Sequence, residues 1–306
     1  SDGANGAASD SSRSAVRSLE FSRDGRVLAS GGDDGTVQLR LTDDIGKTQA
    51  SPVIAGLRGD SAVLCMAWSH DSKFHVRRTS TASLIVGHAN GELSRFSVSA
   101  STLQAGVALA NPVLLDRWSA HGADSPVRAL AMSPHLQVTP IGETKHLIAS
   151  ASNDGLLKLW RVATAAAAVP STVEQMADEV LQPIAAVPSE IHGDNASGGL
   201  QAPLPSGVEA IAILEGHSGP VYSCCFHPSG RVLASGAEDE QVRLWSVSTD
   251  PGFTSAKTAA QESAFSEQLQ FACTHVLDVD RGTQQEEVRA LAYSPDGGYL
   301  VTGQSD

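Results

Sequence analysis

Large aromatic rings are scarce in this 306-residue chain: Phe, Tyr and Trp together make up 5%, and charged residues only 18%. A core must therefore be assembled from Val, Leu, Ala and Ile. Basic residues are the minority, 21 against 34 acidic, for a formal charge of −13. That sign opposes adsorption to polyanions, so direct nucleic-acid binding is not expected. No long hydrophobic run exists. The longest, Ala62 to Trp68, falls far short of the roughly 20 residues a spanning helix needs, and the opening SDGANGAASDSSRSA lacks the apolar stretch of a secretory signal. No membrane association is expected. The four cysteines, Cys65, Cys224, Cys225 and Cys273, lie in apolar strand-like stretches where a thiol behaves as a small hydrophobe. This favours a reduced intracellular setting, cytoplasmic or nuclear, over a disulfide framework. HExxH, zinc-type Cys/His spacing and a GxSxG elbow are all missing, so no metal, no cofactor and no catalytic residue is expected. Gly46-Lys47-Thr48 lacks the first glycine of a phosphate-binding loop, because Leu41 stands there; Arg77-Arg78 reads as a solvated loop pair, and the sequon Asn195-Ala-Ser197 has no meaning without secretion.

What is present is repetition. VRSLEFSRDGRVLASGGDDGTVQLR starts at Val16, SPVRALAMSP leads to HLIASASNDGLLKLWRV ending at Val162, GHSGPVYSCCFHPSGRVLASGAEDEQVRLWSV starts at Gly216 and VRALAYSPDGGYLVTGQSD starts at Val288. A weaker copy runs from Ala62 through SLIVGHANGELSRFSV. Each copy alternates apolar and polar residues, turns on Ser, Pro, Asp and Gly, alternates again, turns on Asp or Asn and ends in a third alternating stretch. That pattern predicts an antiparallel meander.

These copies resemble the WD40-repeat family, whose blades carry a Gly-His pair, a Ser or Thr, a turn Asp and a Trp. His217, Ser235, Asp239 and Trp245 match in the fourth copy, and His121, Ser150, Asp154 and Trp160 in the third. The resemblance implies an all-β propeller of four-stranded antiparallel blades, with each set forming a hydrogen-bonded chain from Trp to Ser to His to Asp that satisfies a buried corner. The first copy keeps Ser30 and Asp34 but has Arg40 for Trp and no His. The second has Val86, Asn90 and Phe96 for Ser, Asp and Trp, with Asp60 near the His position; its Gly87-His88 falls at the end of the second strand. The fifth keeps Thr302 and Asp306. The turn residues 34, 90, 154, 239 and 306 are 56, 64, 85 and 67 positions apart, against about 40–45 for a compact repeat, so every interval holds an insertion. Blade cores are expected at about 16–44, 60–99, 121–162, 214–249 and 286–306. A propeller closes on itself, so four and a half blades read as an incomplete ring and a fragment.

The larger insertion, 163–206, holds Glu174, Asp178, Glu179, Glu190 and Asp194 and neither Lys nor Arg. Most of it should be solvated. Within it, Ser171 to Glu174 reads as a capping box, and Val173, Met176, Ala177, Val180 and Leu181 fall at helical spacing before Pro183. A second insertion, 248–270, is similarly polar, with a turn or two of helix around Ala259 to Leu269.

The resemblance also implies that partners sit over the loops before the first strand and after the second. The positions carried over are Pro220, Tyr222 and Glu238; Pro126, Arg128 and Asn153; Ala15, Arg17 and Asp33; Ala62, Leu64 and Ala89; and Glu287, Arg289 and Ser305. Arg17, Arg128 and Arg289 with Tyr222 form the expected contact centre, because guanidinium forks select carboxylate or phosphate groups. The competing reading pairs each arginine with a turn acid such as Asp33 or Glu238. The expected function is a non-catalytic platform for other proteins in an intracellular hetero-complex. The alternatives are a substrate-recognition subunit of a ubiquitin ligase, although neither Trp160 nor Trp245 is followed by Asp-x-Arg, and a subunit of an RNA-associated complex.

Overall fold

Period-2 alternation commits each copy to β-strands. The computed structural model describes residues 14–42, 55–58, 60–69, 81–99, 112–135, 137–138, 144–163, 204–248, 270–278 and 286–305. The insertion helix at 171–183, the residues 249–269, the motifs at Gly46, Arg77 and Asn195, and Asp306 lie outside them. The first blade is β1 (Val16–Phe21), β2 (Val27–Gly32), β3 (Thr36–Leu41) and β4 (Ala55–Arg58), antiparallel in that order. The second is β5 (Val63–Trp68), β6 (Thr81–His88), β7 (Glu92–Ser99) and β8 (Val113–Ser119). In the third, β9 (Val127–Met132) and the short β10 (Gln137–Val138) share one edge of β11 (Thr144–Ser152), followed by β12 (Leu157–Ala163) and β13 (Val208–Leu214). The fourth is β14 (Val221–Phe226), β15 (Val232–Ala237), β16 (Gln241–Ser248) and β17 (Gln270–Asp278). A final pair, β18 (Val288–Tyr293) and β19 (Leu300–Gln304), begins a fifth. The outer strands β8 and β17 fall outside the third strands at which the sequence pattern ends.

The first strands line one axis: β1 packs on β5, β5 on β9, β9 on β14 and β14 on β18. Neighbouring residues point into different interblade layers. Met66, Leu84 and Phe96 join Val27, Ala29 and Leu39 of the first blade, while Cys65, Ile85 and Leu93 join Val127, Ile148 and Trp160 of the third. Leu147, Ala149 and Leu159 turn instead to Phe226, Leu233 and Trp245. Each fully buried Leu or Ile contributes about 1.5–3 kcal/mol.

At one end of three of the four layers a valine enters a notch left by a glycine; in the layer between the third and fourth blades Val221 meets Ala151 instead. A Cβ on Gly31 would lie 2.4 Å from Val63 Cγ1, one on Gly87 3.0 Å from Val127 Cγ1 and one on Gly236 2.4 Å from Val288 Cγ1. These three valines are completely buried, whereas the corresponding Val16 of the first blade is 61% exposed.

Candidate functional site

Every pairing of a first with a second strand carries a β-bulge at the same place. The register slips between Val16 and Ser18, Val63 and Cys65, Val221 and Ser223, and Val288 and Ala290, and on β11 between Ala151 and Ser152 opposite Val127 and Ala129. The extra residue is therefore Arg17, Leu64, Arg128, Tyr222 or Arg289. A bulge takes a residue out of the ladder and re-aims its side chain, which puts these five at the loop end of the axis.

Their partners differ. Arg17 donates from Nε and Nη2 to the two carboxylate oxygens of Asp33, each at 2.7 Å. The hydrogen bond from Arg17 holds the Asp33 carboxyl below its usual range, against slight burial. Arg289 pairs with Glu287, and its Cζ sits 4.0 Å from the centre of the Tyr222 ring. Burial raises the Tyr222 hydroxyl, opposed by Arg289 and Arg128 and reinforced by Glu287 and Glu238. Arg128 donates from Nε to Asn153 Oδ1 at 2.7 Å, a neutral acceptor; among the described residues no carboxylate pairs with it. Glu238 lies over Gly219, whose added Cβ would sit 2.9 Å from its Oε2. The structure thus brings Arg128, Tyr222, Glu238, Glu287 and Arg289 around one phenol and leaves Arg17 with Asp33 as a separate pair on the first blade. Of the carried-over arginines, Arg17 and Arg289 have acids; Arg128 has an amide.

Two hydrogen-bonded sets brace the turns behind this surface. His121 bridges Asp154 (Nδ1, 2.8 Å) and Ser150 (Nε2, 2.9 Å), and Trp160 Nε1 donates to Ser150 Oγ at 3.0 Å. His217 does the same with Asp239 (3.0 Å) and Ser235 (2.7 Å), Trp245 donating to Ser235 at 2.9 Å. The carboxylate can only accept, so Nδ1–H donates to it, and in the neutral ring Nε2 then accepts from the serine hydroxyl. Burial lowers the His217 pKa despite the opposing pull of Asp239, in keeping with a neutral ring. Burial works against ionisation of Asp154, but the His121 hydrogen bond, the Leu156 amide and Lys158 outweigh it and hold its carboxyl low.

The degenerate blades use substitutes. In the first, Ser14 Oγ accepts from the Asp34 amide at 2.8 Å. In the second, buried His88 at the end of β6 meets Ser94 Oγ at 3.0 Å, Asp60 pairs with Arg117 at 3.1 Å, and Asn90 donates to Glu92 at 2.9 Å.

The turns between second and third strands need a left-handed residue, supplied by Gly35, Gly91 and Gly155 (φ 72–80°). In the fourth blade Glu240 takes that place at φ 63°. A side chain in this region costs about 1–2 kcal/mol, partly offset by the looser unfolded chain glycine brings. Glu240→Gly is therefore expected to raise stability by about 0.5–1 kcal/mol, read as a higher denaturant midpoint; an unchanged or lower midpoint would refute the strain.

Two features escaped the sequence reading. Arg95, 1% exposed, donates from Nε to Asp116 Oδ2 at 2.6 Å and from Nη1 to the carbonyl of Ala163 in the next blade. Glu20 faces a cavity at the opposite end of the axis. Among the described residues no group of three or more His, Cys, Asp or Glu could hold a metal, and no helix is long and apolar enough to cross a membrane.

The model of the WD domain, G-beta repeat, matches residues 8–39, 113–161, 208–246 and 271–306. The chain is 29% identical over 286 residues to "Cell division cycle 20.5, cofactor of APC complex" of Arabidopsis thaliana, covering 83% of this chain and 60% of that protein. It is 29% identical over 112 residues to "Transcription initiation factor TFIID subunit 5" of Arabidopsis thaliana, 37% of this chain and 14% of that one. It is 47% identical over 51 residues to "U5 small nuclear ribonucleoprotein 40 kDa protein" of Homo sapiens, 17% of this chain and 12% of that one.

Proposed function

The chain belongs to the WD40-repeat family, whose members are typically protein-interaction scaffolds, and from that premise we propose that it is a non-catalytic platform within an intracellular multiprotein assembly. The contact centre of this platform is the loop-end cluster of Arg128, Tyr222 and Arg289, with Asn153 and Glu238 at its border. The observation that carries the reading is the repeated bulge that aims these residues the same way. Arg128 supplies the selectivity. Among the described residues its charge meets only an amide, so a carboxylate on a partner segment gains a charge-assisted fork without first displacing one of their acids. Arg17, already held by both oxygens of Asp33, contributes less. The names of the three relatives, a complex cofactor, an initiation-factor subunit and a ribonucleoprotein, support membership of an assembly. The ribonucleoprotein match favours a second reading, an RNA-containing assembly.

The test is capture of partners from native cells by the tagged full-length protein, with cross-linking and mass spectrometry. Arg128→Glu is expected to reduce recovery of the cross-linked set about tenfold or more, a loss of at least 1.4 kcal/mol. An unchanged set sinks the assignment. Retention that falls steeply with salt transfers the reading to a nucleic acid, and a shallow fall keeps it with protein.

A further inference from the structure

The fourth residue after each entering valine is small and uncharged in four blades: Ala67, Ala131, Cys225 and Ala292. In β1 the same position is Glu20. It lines a cavity of about 310 Å³ where β1, β5, β9 and β14 finish, away from the loop-end cluster, together with Phe21, Trp68, Met132 and Phe226. Trp68 is fixed there, its Nε1 donating to the Glu20 carbonyl at 3.3 Å. The Glu20 carboxyl itself has no hydrogen bond or ion pair among the described residues, and burial alone pushes its pKa up to about 7. A half-buried acid with no partner among the described residues, facing a hollow walled mainly by apolar side chains, is costly to the fold, and the four other blades avoid it.

We infer that this cavity is a binding site for the ammonium group of a lysine side chain from a partner segment, with Glu20 as its counter-ion and the apolar wall enclosing its methylene stem. An ammonium on an aliphatic stem has this division of character: a charged head for a carboxylate, a stem for hydrocarbon, and a favourable approach to aromatic faces. A divalent cation fits poorly, since it demands several oxygen ligands and only one carboxylate is present. The site is independent of the loop-end platform.

The remaining ionisable groups of the wall are Arg23, Cys224 and Cys225. Burial drives the Cys225 thiol to about 11 and the Cys224 thiol well above its usual value, and a guanidinium stays charged. Between pH 6 and 8 Glu20 is thus the wall group that titrates. Its ionised fraction rises about tenfold over that interval for a midpoint near 7, and affinity for an ammonium must rise with it.

The probe is n-butylammonium chloride, titrated into the full-length natural protein and followed by Trp68 fluorescence and by the carboxyl carbon resonance of Glu20, with sodium chloride as the control for ionic strength. Saturable binding about tenfold tighter at pH 8 than at pH 6, and at least tenfold weaker in Glu20→Gln and in Glu20→Ala, is the expected result. Glu20→Ala installs the residue of the neighbouring blades and keeps the fold testable. Should either variant fail to fold, the natural protein decides alone: saturating butylammonium must lower the Glu20 midpoint by at least one pH unit. A non-saturable response, an effect equal to that of sodium chloride, equal affinity at both pH values, or unchanged affinity in a folded variant overturns the inference. Arg128→Glu leaves this binding intact, so failure here and failure of the platform reading are separable.

Discussion

Asp116→Ala is expected to destabilise the protein by about 3–5 kcal/mol, the largest effect among the described polar pairs. Its partner Arg95 is 1% exposed and Asp116 10%. The guanidinium spends two nitrogens on this carboxylate and a third on the Ala163 carbonyl across the blade seam. Removing the carboxylate strands a buried cation with one neutral acceptor, and breaking a buried pair from one side costs that much. Removing both charges behaves differently. Arg95→Met with Asp116→Leu avoids the desolvation of two ions and should recover more than half of the loss, short of full recovery because the Ala163 carbonyl then lacks its donor. Denaturant unfolding of both single variants and the double gives the coupling energy directly. If the double variant is as unstable as the sum of the singles, the two residues are not acting as a pair.

Asp239→Ala should follow closely, at about 3 kcal/mol, while Asn90→Ala at the equivalent turn of the second blade should cost less than about 1 kcal/mol. Asp239 accepts from His217 Nδ1, from the Ser218 amide at 3.0 Å and from the Gln241 amide at 3.3 Å. Its loss leaves a buried ring and two amides unmet, each costing about 1 kcal/mol or more. Among the described residues Asn90 accepts only from the Glu92 amide at 3.3 Å and donates to the Glu92 carboxylate. Melting or denaturant curves of the two variants decide; equal shifts would remove the special status of the fourth-blade set. The same set carries a pH dependence. The His217 pKa is depressed below its ordinary 6.5 by burial, so as pH falls the unfolded chain takes up the proton first and stability declines below about pH 6.5. Glu20 acts oppositely: its raised pKa makes the folded state the stronger proton binder between 4.5 and about 7, and stability declines as pH rises through that window.

The sets at His121 and His217 could be read from spacing because four residue types recur at fixed offsets, each with one role in the chain of donors. The bulges could not. A register slip depends on which partner strand lies opposite, and Val-Arg-Ser reads the same in a straight strand and in a bulged one. The arginines were found by their position and by resemblance, while their orientation, and the contrast between the Asp33, Asn153 and Glu287 partners, came only from the fold. Arg95 stands at a polar position of an alternating strand, and nothing local signals that the end of β12 covers it. Glu20 was masked in the same way, and becomes conspicuous only when the five first strands are superposed by register. The outer strands β8 and β17 carry exposed Val113, Leu114, Val276 and Leu277. With solvent on their free edge they have less need of a strict apolar alternation, which blurred their boundaries.

The valine-and-glycine seam gives the assembly a direction. At the three seams built this way one blade offers the valine and its neighbour the glycine recess, so those neighbours add only in one sense, and a reversed blade would set valine against valine. Coupling of this kind passes from one blade to the next without skipping, as in a one-dimensional array whose stability is a sum of unit and nearest-neighbour terms. Disturbance at Gly87 therefore acts first on the seam between the second and third blades, where its notch receives Val127.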